Sequence, residues 1–311
     1  MKDSITVFAP ATVANVACGF DILGFAIGEI GDTITVTKTK TPRLVITAIH
    51  GADYLPKEAD KNVATVAVQA LIDALPEPFK GGFTFELIKN VMPGSGLGSS
   101  ASSSASAVFA ANELLGNPFT TVELVRFAME GERAASGKAH ADNVAPSLLG
   151  GFTLVRSYEP LDVVSLDYPT GLFVTVVHPQ IEVKTSDSKK ILKKQIKLSD
   201  AITQWGNVAG LVSGLAKGDF DLIKRSLHDV VAEPIRSMLI PLFNDAKALA
   251  LQNGALGCSI SGSGPSIFAL STSKETAQLI AKKFQELYDN SDIDAIVHVS
   301  TINPKGAEVI R

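Results

Sequence analysis

Three glycines at alternate positions, Gly94, Gly96 and Gly98, stand between a strand-like segment and a long run of small residues. Ahead of them Phe83, Phe85 and Leu87 alternate with more polar positions, the pattern of a half-buried strand. The stretch PGSGLGSSASSSASAVFAANELLG, residues 93–116, is too rich in glycine at its start to be helical and becomes helical from Ser99 to Leu115. A strand, a glycine loop and a helix start in succession let backbone N–H groups turn inward and approach a ligand closely. The positive end of the helix dipole adds to them. Such a place suits phosphate groups. Ser95, Ser99 and Ser100 add hydroxyls able to bond phosphate oxygens or a metal. No lysine follows the last glycine, so this is not a Walker A loop. The spacing GxGxG also differs from the dinucleotide fingerprint. Read alone, the loop favours phosphate binding over the alternative of a turn that only permits close strand–helix packing.

Strands and helices are interspersed along the rest of the chain, which places it in the α+β or α/β class. Strands are expected at 5–8, around Ile34 and Val36, and at 44–49. A helix is expected over 62–75, where Val63, Val66, Ala67, Ala70, Leu71 and Ala74 share one face. Thr120 and Glu123 form a capping box that opens a helix towards Ser136, and Gly150–Gly151 ends this half. Further on come a strand at 172–177 and helices at 202–215, 220–231 and 241–252, with Gly254 closing the last. Two short strands around a serine–glycine turn fill 255–270, Thr272 and Glu275 cap a helix to Leu287, and a strand at 295–299 is the last. The expected division is 1–157 and 158–311.

Composition narrows the class of ligand. With 28 Lys+Arg against 32 Asp+Glu the net charge is -4, which offers no basic face for nucleic acid and favours a small substrate. Cys18 and Cys258 are the only cysteines, too few for a disulfide framework or a CxxC metal pattern. No run reaches the ~20 apolar residues of a membrane span, and the N-terminus lacks the form of a signal peptide. Cytoplasmic residence and no membrane partner are therefore expected.

Three other stretches carry chemistry. GERAASGKAHADN, residues 131–143, gathers Glu132, Lys138, His140, Asp142 and Asn143 at the end of a helix and in the loop beyond it. A carboxylate such as Glu132 with a nearby serine hydroxyl suits Mg²⁺, although a lone Glu132 is more often a solvated helix residue. The stretch 10–27 reads as a loop whose polar members are Thr12, Asn15 and Asp21; Asp21 could hold a substrate ammonium or simply form an Asx turn. SGSGPS, residues 261–266, is a second glycine loop or a hairpin turn. The run 184–197 holds six lysines, a solvated basic face or an aid to anion binding.

Three blocks together, residues 10–27, PGSGLGSSASS at 93–103 and GCSISGSGPSIFAL at 257–270, resemble the GHMP kinase superfamily in content and order. APATVANVACGFDILG, HADNVAPSLLGG and EPIRSMLIP are similar to its homoserine kinase branch. The resemblance implies a two-domain α+β fold: an N-terminal domain with the phosphate loop on a left-handed β-α-β unit, and a ferredoxin-like C-terminal domain. It implies ATP-dependent phosphorylation of L-homoserine to O-phospho-L-homoserine, on the route to threonine, with Mg²⁺. A homodimer is expected.

Carried over residue by residue, the resemblance makes Ser100 and Glu132 the metal ligands, with Ser99 an alternative to Ser100. Pro93, Gly94, Ser95, Gly96, Leu97, Gly98, Ser99 and Ser100 would cradle the phosphates, and Asn62 and Val63 would meet the base. Asp21 would hold the substrate ammonium and Arg236 its carboxylate. Asn15, His140, Asn143 and Thr185 would surround the reacting groups, and Gly262 and Gly264 would close the site. Lys189 stands where the branch tends to have arginine. Asn143 matches an aspartate of the mevalonate kinase branch and cannot accept a proton, so in-line transfer by positioning, without an obvious carboxylate base, is expected. The rival readings are a kinase for mevalonate-type acids or sugars, a non-catalytic nucleotide-binding regulator, and an interaction module whose glycine loops only make turns.

Overall fold

The computed structural model describes residues 3–181, 183, 188 and 191–311. Its first sheet is built on two long antiparallel strands, β1 (Ser4–Ala14) and β2 (Leu23–Thr39). Their register runs from Ser4 opposite Thr37 to Ala14 opposite Gly24 and slips between Pro10 and Thr12. The stretch expected to be loop at 10–27 is therefore mostly strand, and only 15–22 turns between β1 and β2. Small and β-branched residues there are buried on both faces, which a local alternation pattern does not reveal.

On the other side of β2 lies β4 (Gly82–Ile88), and beyond it β3 (Leu44–His50), parallel to β4. A parallel pair needs a crossover, and helix α1 (Val63–Asp73) supplies it, with the Asn62 side chain capping its start. Phe83, Phe85 and Leu87 point into the core from β4 as their alternation predicted. Helix α2 (Ser99–Leu114) packs on β1 and β2, with α3 (Thr121–Ser136) and the short α4 (Val144–Leu149) alongside. The small side chains of α2 allow this close approach, and its hydroxyls find partners. Ser102 Oγ donates to Ala9 O at 2.7 Å and accepts from Asp32 N at 3.0 Å. The Thr120–Glu123 capping box is formed as expected.

The hairpin β5 (Phe152–Tyr158) and β6 (Leu161–Leu166) was not expected; β5 pairs with the start of β2. The division placed at 157/158 falls inside this hairpin, and β11 (Glu308–Val309) returns to pair with β1.

The second sheet has the order β10–β7–β9–β8, all antiparallel, from β7 (Phe173–Pro179), β8 (Gly257–Ile260), β9 (Ile267–Ser271) and β10 (Ala295–Thr301). With helices α5 (Leu198–Lys217), α6 (Phe220–Ser226), α7 (Glu233–Arg236) and α8 (Phe243–Gln252) between β7 and β8, and α9 (Lys274–Asp289) between β9 and β10, this is the ferredoxin-like arrangement. The helix expected to run to 231 stops at Ser226. There the Asp229 carboxylate takes the N–H groups of Val231, Ala232 and Glu233 and starts α7 instead. Ser273 rather than Thr272 caps α9, by accepting from Thr276 N. The two sheets share one core: Phe25 of β2 meets Phe152 at 4.9 Å and Phe268 of β9 at 5.8 Å between ring centroids. No helix among the described residues is long and apolar enough to cross a membrane.

Candidate active site

A cavity of about 560 Å³ opens where the two sheets meet. One part of its wall is the glycine loop between β4 and α2. Gly94, Gly96 and Gly98 have φ of +80°, +81° and +68°, backbone that L-residues with side chains rarely adopt. Two of the glycines are also needed for space. A Cβ on Gly96 would stand 2.6 Å from Ser261 O and one on Gly98 would stand 2.2 Å from Thr12 Oγ1. Gly98 is the residue before α2, so the first N–H groups of that helix open onto the cavity. Pro93, the three glycines, Ser99 and Ser100 line it.

The loop is held from several sides. Ser261 Oγ donates to Gly96 O at 2.7 Å and Ser266 N donates to Ser95 O at 3.2 Å, so the second glycine loop docks on the first. Gly262 N reaches Ala14 O, and Asn15 Nδ2 donates to Gly262 O at 2.7 Å. Ser95 and Leu97 are buried beneath the loop rather than facing the cavity. The Ser99 hydroxyl donates to Val91 O at 2.7 Å, whereas Ser100 is only partly buried. Val63 lines the cavity; Asn62 caps α1 and donates to Pro56 O.

Another part of the wall is charged. Asp21, Glu132, His140, Asp142, Asn143 and Arg236 all reach it. Asp21 sits at φ +60° in the tight turn after β1, with its N–H on Asn15 Oδ1 at 3.0 Å and its carbonyl accepting from the Tyr158 hydroxyl at 2.8 Å. His140 Nδ1 lies 3.7 Å from Asp21 Oδ1. Arg236 is buried; it donates to Gly262 O at 3.0 Å and Ser188 O at 3.3 Å, and its guanidinium lies 4.9 Å from the Phe20 ring centre. Burial pulls Arg236 below its ordinary value, opposed by Asp21, Asp229 and Asp142. Thr185 and Lys189 lie outside the described residues.

Sequence reasoning gave no role to several groups here. Thr12 Oγ1 donates to Asn143 Oδ1 at 2.7 Å, so the Asn143 amide presents its N–H₂ to the cavity. Asp142 is almost fully buried, and burial together with the charges of Asp21 and Glu132 pushes its carboxyl up to about 7. Lys89 and Asp32 form a buried ion pair under the loop. Asp142 and Thr12 stood out locally, as a member of the 131–143 cluster and as a polar residue of 10–27, although neither was given a role; nothing local marked Asp32 or Lys89.

The donor set fits Mg²⁺. Glu132 and Ser100 offer a carboxylate and a hydroxyl on neighbouring helices that face one cavity. No group of three or more His, Cys, Asp or Glu able to hold a metal occurs among the described residues. Magnesium is commonly held by one or two carboxylates together with substrate phosphates and water, so a sparse oxygen set suffices.

Comparison with known proteins agrees with this architecture. The family model of the GHMP kinases N terminal domain matches residues 62–151, and that of the GHMP kinases C terminal matches 211–290. The chain is 49% identical to a homoserine kinase of Chloroherpeton thalassium, covering 98% of this chain and 99% of that relative. The crystal structure of homoserine kinase from Cytophaga hutchinsonii superposes with a TM-score of 0.96 at 54% identity, covering 100% of this chain and 98% of that one. A mevalonate kinase of L. major, solved with R-mevalonate, shares the fold at a TM-score of 0.71 and 17% identity, over 97% of this chain and 98% of that one. By identity across nearly its whole length and by the match of both domain models, the chain belongs to the homoserine kinase family of the GHMP kinases.

Proposed function

We propose that this protein transfers the γ-phosphoryl group of ATP to the hydroxyl of L-homoserine, giving O-phospho-L-homoserine on the route to threonine. One observation carries the reading. A single cavity is lined both by a glycine loop opening a helix and by Asp21 and Arg236, a carboxylate and a guanidinium suited to the two charges of an amino acid.

The loop N–H groups of residues 94–99 receive the phosphates, and Val63 borders the base. Glu132 and Ser100 would hold Mg²⁺, which supplies charge neutralisation on the phosphate oxygens. Arg236 spends two of its five N–H donors on Gly262 O and Ser188 O, which orients the remainder towards a carboxylate. Asp21 takes the ammonium, with His140 beside it. Asn143, its carbonyl occupied by Thr12, donates an N–H to the reacting oxygens. It therefore stabilises developing charge and aligns the hydroxyl in line with the γ-phosphate. By the resemblance alone, Thr185 would serve the phosphate and Lys189 the carboxylate. The first sheet with α1–α4 forms the ATP-binding part and the second sheet with α5–α9 the C-terminal part, so the division lies beyond the β5–β6 hairpin, and the enzyme works in the cytoplasm as a homodimer.

The test is an ATP-consumption screen of purified protein over homoserine, serine, threonine, mevalonate and galactose, with the product identified by mass. Homoserine is expected to be the preferred acceptor. Turnover of mevalonate or galactose without phosphohomoserine overturns the reading.

A further inference from the structure

We propose that Asp32 and Lys89 are positioning residues for the nucleotide phosphates: together they clamp the neck of the glycine loop and hold its N–H donors in register. The proposal rests on the reading of that loop as the phosphate site. Asp32 lies in the middle of β2, far in sequence from everything it holds. Its Oδ1 accepts from Asn90 N at 2.9 Å and Val91 N at 3.0 Å, where the chain leaves β4 and enters the loop. Its Oδ2 accepts from Ser103 Oγ at 3.1 Å, one turn into α2, where the chain has left the loop. Lys89 Nζ donates to the same Oδ2, to Ser99 O at 2.8 Å and to Ser103 Oγ at 2.8 Å. The Ser99 hydroxyl returns to Val91 O. The entry and exit of the loop are thus joined through one carboxylate, and the four side chains that tie them, Asp32, Lys89, Ser99 and Ser103, are all buried.

Two arguments separate this from other uses of the pair. Lys89 borders the cavity, yet an ammonium has three N–H donors and all three are taken by Asp32, Ser99 and Ser103. It therefore acts through the loop rather than by gripping a phosphate, unlike the lysine that follows a Walker A loop. Nor does stability call for the pair, because apolar side chains of similar volume generally stabilise a core as well as a buried ion pair does. An ion pair fixes direction, which apolar packing does not. The loop needs direction, since its donors must converge on oxygens to within a fraction of an ångström.

The experiment compares steady-state kinetics and thermal unfolding of the parent with two neutral pairs. Asp32→Leu with Lys89→Met fills the space and removes the clamp. Asp32→Asn with Lys89→Met keeps an acceptor for the N–H groups of Asn90 and Val91 but loses the tie to Ser99. The first is expected to raise KM for MgATP about tenfold or more and the second about threefold, with KM for homoserine within about twofold. The Asn/Met pair should melt within a few degrees of the parent and the Leu/Met pair lower, since it leaves the N–H groups of Asn90 and Val91 without their acceptor. Ser103→Ala cuts the bridge to α2 without leaving an unpaired charge. It should raise KM for MgATP in the same sense even if the Leu/Met pair fails to fold. The clamp is refuted if the folded variants keep the parent's KM for MgATP. It is also refuted if both KM values rise together with a fall in melting temperature, which marks a merely structural pair. A parent that consumes no ATP with any acceptor overturns the kinase reading and the clamp with it; a working parent with indifferent variants overturns the clamp alone.

Discussion

The loop wall and the charged wall of the cavity recognise ligands by opposite means. The loop wall is mostly backbone, with three positive-φ glycines, the start of α2 and serines turned inward to brace them. The charged wall is mostly side chains, Asp21, His140, Asp142, Asn143 and Arg236, set on turns and on the short helix α7. Backbone donors survive every substitution but proline and otherwise suffer only when their geometry is disturbed. Charged side chains can be deleted singly, and each deletion leaves a buried partner or substrate charge unmatched. Binding on the loop wall should therefore degrade gradually, and recognition on the charged wall should fail in steps.

The sharpest test is at Glu132, where the two walls meet. Glu132→Gln keeps the shape and loses the charge, and turnover should fall about a thousandfold with a higher Mg²⁺ requirement. Parent-like activity at low Mg²⁺ would make Glu132 an ordinary helix residue. Arg236→Ala should cost about 2–5 kcal/mol in kcat/KM for homoserine with KM for ATP little changed, because a buried charge-assisted pair is lost. An equal loss for both substrates would mean that Arg236 supports the Gly262 loop more than it binds substrate.

The glycines test the other half of the contrast. Gly98→Ala puts a Cβ 2.2 Å from Thr12 Oγ1 at positive φ, whereas Gly94→Ala meets nothing within 4 Å. KM for MgATP should rise about a hundredfold for the first and about tenfold for the second, whose cost is backbone strain alone. Equal effects would show that conformation and not space governs the loop.

Asp142 offers a test by pH. Its carboxyl holds its proton up to about 7 in the folded protein, while an unfolded aspartate loses it near ~3.9. The folded state binds more protons between these values, so stability from this group falls as pH rises from about 4 to about 7. Asp142→Asn should remove this fall, about 2 kcal/mol once water entering the cavity is allowed for, as read from urea unfolding at several pH values. An unchanged pH profile would show that Asp142 is charged throughout. The smallest expected effect is at Lys189, where alanine should cost ~1 kcal/mol in kcat/KM for homoserine, as for a solvated ion pair. A greater loss than in Arg236→Ala would reverse the ranking of the two cations.

The sequence by itself determined what depends on neighbours along the chain. Alternation of Phe83, Phe85 and Leu87 marked β4, the Thr120–Glu123 box marked α3, and three alternating glycines marked the loop between β4 and α2. Periodicity, capping and positive φ are local consequences of backbone sterics, so a window of sequence suffices to see them. Only the tertiary structure decided which distant residues meet. Thr12 orients Asn143 across 131 positions and Asp32 holds Lys89 across 57. The β5–β6 hairpin joins the first sheet through the register of β2. Such contacts follow from how strands pair and how α2 lies on them. A threonine in an apolar strand or an aspartate among threonines carries no local mark of the partner that burial will give it.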